Sequence, residues 1–154
     1  MVQANQTGAR GFTLVELMLT IIILGILTGL AVPMARSAIK RQKERELRYD
    51  LRLMRDALDR YKDASDRMMF REKGDSTGYP KSLDVLVKGA EINGGKTVRF
   101  LREVPVDPIT GKAEWGMRSM EDDPDSDSWD ATAVYDVYSK AEGTGLNGTR
   151  YRTW

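Results

Sequence analysis

Three aspartates at alternating positions are the residues in this sequence whose spacing could bind a hard cation. Asp123, Asp125 and Asp127 lie in "EDDPDSDSWD" and resemble the start of a calcium-binding loop, which supplies carboxylates at alternate positions. However, Ser128 stands where such a loop needs glycine, and Val134 where it needs a bidentate glutamate. A solvated acidic loop without a cofactor is therefore the first interpretation, and calcium bound by the three aspartates is the alternative.

A single glutamate poses a second chemical question. Glu16 stands at the front of an otherwise uncharged run that continues from Leu17 to Ala35. A lone carboxylate in an apolar environment costs several kcal/mol, and such groups usually find a partner within a bundle. The position of Glu16 therefore predicts an interaction that compensates its charge.

The residue inventory excludes most enzyme chemistry. The chain contains no histidine and no cysteine, which rules out disulfides, thiolate nucleophiles, Cys/His zinc sites and His-based triads. It also has no Gly-rich phosphate loop and no convincing pair of catalytic acids. We predict that the protein is not an enzyme, and its net charge of +1 gives no reason to expect a nucleic-acid partner.

Charge is unevenly distributed along the 154 residues, which leave room for one modest domain beside a membrane segment. Residues 36–73 hold 13 Lys/Arg against 8 Asp/Glu, whereas residues 103–130 hold 9 acids against 2 bases. The sequence thus predicts a basic stalk followed by an acidic distal region.

The uncharged run predicts a membrane-spanning helix. At about 1.5 Å per residue, Leu17 to Ala35 reaches across roughly 30 Å of hydrocarbon. Pro33 removes one helical hydrogen bond and predicts a kink or a loosened turn near the end of this segment. The alternative is a secretory signal peptide cleaved near Gly29-Leu30-Ala31, which would leave Glu16 without a role.

Beyond Pro33 the pattern becomes amphipathic and then turn-rich. We expect one helix from about Leu14 to about Met69, with opposite charges such as Glu44 and Arg48 on its solvent face. Its apolar face is predicted to comprise Leu47, Leu51, Met54, Leu58 and Tyr61. Later in the sequence we expect a helix at 82–88 and turns at Gly94-Gly95 and at 109–111. One strand is expected after the second turn and another within 131–140. Together they predict an α+β fold with a small antiparallel sheet packed on the amphipathic half of the helix.

The stretch "RGFTLVELMLTIIILGIL" resembles the class III signal of type IV pilins and pseudopilins, in which a leader ends in glycine and is followed by phenylalanine, a nearby glutamate and an apolar helix. The resemblance implies that a prepilin peptidase cuts after Gly11 and methylates the new amino group of Phe12. It also implies that this ammonium, on a neighbouring subunit, pairs with Glu16 during filament assembly. The alternative is that Glu16 lies at the headgroup boundary.

Three later segments of the sequence resemble one particular class within this family. "GYPKSLDVLV", "RFLREVPVDPITGKAEW" and "DVYSKAEGTGLNGTRYRTW" are similar to segments of the major pseudopilins, the protein G class, of type II secretion systems. This implies a leader at 1–11, a transmembrane and filament-core helix at 12–35, an amphipathic half at 36–73 and a periplasmic domain at 74–154. Many protein G pseudopilins bind calcium through acids of the C-terminal loop, yet here that loop, Ser139 to Trp154, has a single acid, Glu142.

As a member of that class, the chain would form a homo-oligomeric filament that drives protein export across the outer membrane. Its expected partners are the prepilin peptidase, minor pseudopilins, an inner-membrane platform protein and an assembly ATPase. Two alternatives stay open. One is a subunit of a type IV pilus used for adhesion or motility, and the other is a non-filamentous, membrane-anchored periplasmic binding protein.

Two features of the sequence predict opposite membrane topologies. Basic residues concentrate just after the apolar run, from Arg36 to Arg48, and the positive-inside rule would place this side in the cytoplasm. The resemblance instead implies a single-pass protein of the bacterial inner membrane with a periplasmic C-terminal domain. We follow the resemblance, since it explains Gly11, Phe12 and Glu16 together.

Overall fold

The computed structural model describes residues 11–67, 70, 77–93, 95–123, 125–127 and 129–154. The chain divides into two units, one ending at Ile39 and the other running from Lys40 to Trp154. The main helix, α1, comprises Leu14–Asp66, and its residues belong to both units. The predicted continuous helix is thus confirmed with an end at Asp66, while Met69 lies outside the described residues.

The second unit contains short elements after α1. These are α2 (Leu83–Lys88), β1 (Ala90–Ile92), β2 (Lys96–Val98), β3 (Trp115–Arg118), β4 (Asp136–Ser139) and a final 3-10 turn (Tyr151–Thr153). In the part of the chain that the structure describes, the strands form two antiparallel pairs, β1 with β2 and β3 with β4. The α+β class is confirmed, and the antiparallel sheet region consists of two separate pairs of strands.

The core of the second unit forms on the predicted apolar face of α1. All five residues of that face are buried, and they pack with α2, β3, β4 and the final turn. The members of this cluster outside α1 include Leu83, Leu86, Leu101, Trp115, Val134, Val137 and Tyr151. Burial of this apolar stripe supplies the main driving force for docking the small elements on the helix.

Packing of β3 on β4 depends on one glycine. Gly116 lies opposite Tyr138 in the register, and a Cβ at Gly116 would lie 2.1 Å from Cζ of the tyrosine. The tyrosine ring therefore occupies the space that any other side chain would need. The Arg118 guanidinium also packs on this ring, 4.0 Å from its centre.

Two sequence expectations need correction. Glu44 was expected on the solvent face beside Arg48, but it is 3% exposed and contacts the C-terminal loop. The strand expected within 131–140 covers only Asp136–Ser139, because Ala131 adopts a φ of 61° and the Val134 amide donates to Pro80. The predicted domain boundaries at 11, 35 and 73 stay predictions, and residues 1–10 and 71–76 lie outside the described part of the chain.

Candidate functional site

The candidate site is the beginning of α1, where the motif residues follow one another. Gly11, Phe12 and Thr13 precede the helix, and Phe12 is 78% exposed. The Thr13 carbonyl accepts the Leu17 amide at 3.1 Å, which is the first intrahelical bond. Thr13 is therefore the residue that caps the helix.

Glu16 occupies the third position of α1, inside this cap. Its backbone amide donates to Oγ1 of Thr13 at 3.2 Å, as in the first half of a capping box. A carboxylate in the first turn is also favoured by the partial positive charge at a helix amino terminus. The capping role of Thr13 was not predicted from the sequence, although the pattern Thr-x-x-Glu that signals it is present.

The segment of α1 from Leu17 to Ala35 contains no charged residue. The most apolar stretch of this segment is not buried against other described residues. Thr20 and Thr28 lie within the apolar segment, and their hydroxyls donate to the carbonyls of Leu17 and Leu24, each at 2.8 Å. These hydroxyls are thus satisfied inside the helix, as a lipid environment or an apolar bundle requires.

By length and composition, α1 is able to cross a membrane. A signal sequence near the amino terminus is also long and apolar, so length and composition alone do not distinguish a signal sequence from a membrane anchor. Glu16 does separate them chemically, since a signal peptide has no use for an acid in its apolar segment. With the motif residues beside it, the helix favours a membrane-anchored protein.

Pro33 lies inside α1, and the helix continues on both sides of it. Proline has no amide hydrogen, so the carbonyl of Gly29, four residues earlier, receives no helical bond from this position. A Cβ added at Gly25 or Gly29 would meet no atom within 4 Å, which leaves open space beside both glycines. The kink predicted at Pro33 stays a prediction.

The three aspartates of the acidic loop lie apart from this site. Asp123 and Asp125 are exposed, and Asp127 forms an ion pair with Arg152. Among the described residues, no three acidic side chains converge as a metal site would require. Calcium at these aspartates stays a prediction, and the local geometry provides no assembled ligand set for it.

Comparison with known proteins points to the same segment and extends beyond it. Residues 7–32 match the model of the prokaryotic N-terminal methylation motif. The chain is 33% identical over 105 residues to the type II secretion system core protein G of Pseudomonas aeruginosa, covering 64% of this chain and 66% of that protein. It is 32% identical over 130 residues to the type IV major pilin protein PilA of Myxococcus xanthus, covering 75% of this chain and 55% of the relative.

The matches cover only part of each relative. The chain spans just under two thirds of the length of one curated relative and about half of the other. No solved structure shows significant similarity to it. The motif, the similarity to both relatives and the α+β architecture with its long amino-terminal helix are consistent with a pilin-like pseudopilin.

Proposed function

We propose that this protein is a structural subunit of a type II secretion pseudopilus. The observation that carries the proposal is Glu16, a carboxylate in the first turn of an exposed apolar helix, five residues after the glycine of a methylation motif. Similarity to core protein G supports the assignment to a secretion system. In this role the chain is not an enzyme and has no nucleic-acid partner.

The proposed pathway begins in the inner membrane, where the apolar part of α1 anchors the precursor. Prepilin peptidase cleaves after Gly11 and methylates the amino group of Phe12. The subunit then enters a helical filament whose core consists of packed α1 helices. Contacts among apolar helices are chemically uniform, so the Phe12 ammonium of one subunit and Glu16 of another supply the specific polar pairing.

The proposal includes the other components of such a machine. Minor pseudopilins, an inner-membrane platform protein and a cytoplasmic ATPase are the partners that assembly needs. The C-terminal domain is placed in the periplasm, with the filament growing there. Protease added to sealed spheroplasts should cleave this domain, whereas protection until lysis would overturn the topology.

Intact-mass and amino-terminal peptide analysis after co-expression with a prepilin peptidase is the first test. The expected product begins at Phe12 and is heavier by one methyl group. An intact Met1, or a terminus at Val32, would leave Glu16 without a new ammonium and would overturn the pairing mechanism.

A pair of variants then tests the role of Glu16. Glu16→Ala should be processed normally but fail to assemble, because the ammonium loses its partner. Thr13→Ala is the matched control, since it removes the helix cap, worth about 1 kcal/mol, and keeps the carboxylate. If both variants lose assembly equally, assembly depends on the stability of the first helical turn, to which the Glu16 carboxylate also contributes through the helix dipole, and the pairing is wrong.

A type IV pilus subunit is the second candidate. The observation that favours it is the match to the pilin of Myxococcus xanthus, which covers more of this chain than the match to protein G. Deleting the gene in its own organism separates the two machines. Loss of exoprotein secretion supports the pseudopilus, loss of surface fibres supports the pilus, and loss of neither supports a non-filamentous binding protein.

A further inference from the structure

The C-terminal loop, residues 139–154, is held against α1 by a buried carboxylate. Oε1 of Glu44 accepts hydrogen bonds from the Leu146 amide at 2.8 Å and from the Tyr151 hydroxyl at 3.1 Å. Glu44 is 3% exposed. Since Leu146 and Tyr151 come from different parts of the loop, one side chain fixes both parts.

The pKa of Tyr151 is consistent with its hydrogen bond to Glu44. Burial, with the hydrogen bond to Glu44 as a second cause, raises the pKa of Tyr151. The tyrosine therefore stays a hydrogen-bond donor throughout the physiological range. One helical turn before Glu44, Nζ of Lys40 donates to the Thr144 carbonyl at 2.8 Å and secures the near side of the same loop.

The far side of the loop is held by arginines of α1. Nη2 of Arg55 donates to the backbone oxygens of Val137 at 3.2 Å and of Trp154 at 2.9 Å. Nε of the same guanidinium pairs with Asp136 at 2.6 Å. The Arg48 guanidinium lies 4.1 Å from the centre of the Trp154 ring, which adds a cation–π contact.

Several side-chain oxygen atoms of the C-terminal loop already accept hydrogen bonds from donors of the same chain. Oδ1 of Asn147 accepts the amide and the hydroxyl of Thr149, and the oxygen of that hydroxyl accepts Nε1 of Trp154 at 2.5 Å. The Ser139 hydroxyl donates to Asp107 and accepts the Ala141 amide. Calcium needs about six to eight oxygen ligands, so these groups would have to give up their present partners.

Charge around the loop also disfavours a cation. Its one acid, Glu142, is exposed, and Lys140, Arg150 and Arg152 line the same open depression beside it. The other acid of that depression, Asp127, already forms an ion pair with Arg152. In the described residues no group of three or more acidic side chains is placed to hold a metal ion. The loop therefore does not fit the calcium that the protein G resemblance implies.

We infer that side chains of α1, with Glu44 as the central positioning residue, hold the C-terminal loop in place of the calcium ion that the protein G resemblance implies. The C-terminal loop is stabilised by protein contacts alone and folds without calcium. This property requires neither processing at Gly11 nor filament assembly, so it stands apart from the proposed function.

Limited trypsin digestion of the full-length chain in detergent tests the inference, because cleavage after Lys140 and Arg150 reports local opening of the loop. Glu44→Ala leaves the part-buried Leu146 amide and the buried Tyr151 hydroxyl without their acceptor and should speed cleavage about tenfold. Glu46→Ala is the matched control, an exposed glutamate two positions further on, and should leave the rate unchanged. Calcium or a chelator should change neither rate.

Further variants keep the test decisive. If Glu44→Ala fails to fold, Tyr151→Phe removes only the hydroxyl that Glu44 accepts and should speed cleavage severalfold while the ring stays packed. The Asp123→Asn/Asp125→Asn double variant removes two of the three candidate calcium ligands of the acidic loop. Protection of the C-terminal loop by calcium in that variant, or equal rates for the Glu44 and Glu46 variants, would overturn the inference.

Discussion

Arg55 offers the most direct test of how α1 holds the small elements of the second unit. Its guanidinium donates to both carboxylate oxygens of Asp136, at 2.6 and 3.2 Å, and to two backbone oxygens of the last part of the chain. Replacing Arg55 by Met keeps most of the apolar stem and removes all four bonds. It also leaves the Asp136 carboxylate without its partner.

The expected loss follows from the exposure of the pair. The side chains of Arg55 and Asp136 are 36% and 28% exposed, so the ion pair is worth less than a fully buried one. About 1 kcal/mol for the ion pair and about 0.5 to 1 kcal/mol for each bond to a backbone oxygen give a total of roughly 2 to 3 kcal/mol. High salt should reduce only the first part of this loss, because the backbone bonds are screened less.

Denaturant unfolding of the full-length chain in detergent, followed by tryptophan fluorescence, measures this loss. Arg52→Met is the matched control, because Arg52 is exposed and its side chain bonds to the Arg48 carbonyl of its own helix. The control should change the free energy of unfolding by less than about 0.5 kcal/mol. Equal losses for the two variants would refute the view that Arg55 links α1 to β4 and to the end of the chain.

Three further substitutions should have separable effects on unfolding by denaturant. Gly116→Ala should cost about 1 to 3 kcal/mol, because its Cβ would overlap the Tyr138 ring, and an unchanged midpoint would contradict the β3–β4 packing. Leu58→Ala should cost about 2 to 5 kcal/mol, against less than about 0.5 for Val106→Ala at an exposed position. Burial, followed by nearby acids, raises the pKa of Asp50, so its ionised form opposes folding at neutral pH. Asp50→Asn should therefore raise stability at pH 7, and this gain should vanish as pH falls and the native carboxyl becomes protonated.

The apolar face of α1 was predictable because its period is set by the helix itself. Leu47, Leu51, Met54 and Leu58 recur at alternating steps of four and three, and all four are buried as expected. Glu44 continues the same spacing, three residues before Leu47, and is buried with them. It was expected on the solvent face because a carboxylate is rarely buried without a partner, and its partners lie about a hundred positions further along the chain.

The small strands were less predictable because their ends depend on distant contacts. Alternating residues in 131–140 predicted a longer strand than β4, but the Val134 amide donates to Pro80, far away in the sequence. Pairing of β3 with β4 likewise joins segments separated by the acidic loop. Local alternation predicts that a strand exists, whereas tertiary partners determine where it begins and ends.

Glu16 and Glu44 are two carboxylates of the same helix that lie in different environments. Glu44 is buried, and both groups that compensate it, the Leu146 amide and the Tyr151 hydroxyl, belong to the same chain. Glu16 lies on an exposed apolar helix, where the capping bond from its own amide to Thr13 involves the backbone and not the carboxylate. In an apolar bundle of such helices, this carboxylate needs a donor from outside its own helix. Under the proposed function, a methylated ammonium on a neighbouring subunit would be that donor and would link the motif at residues 7–32 to assembly.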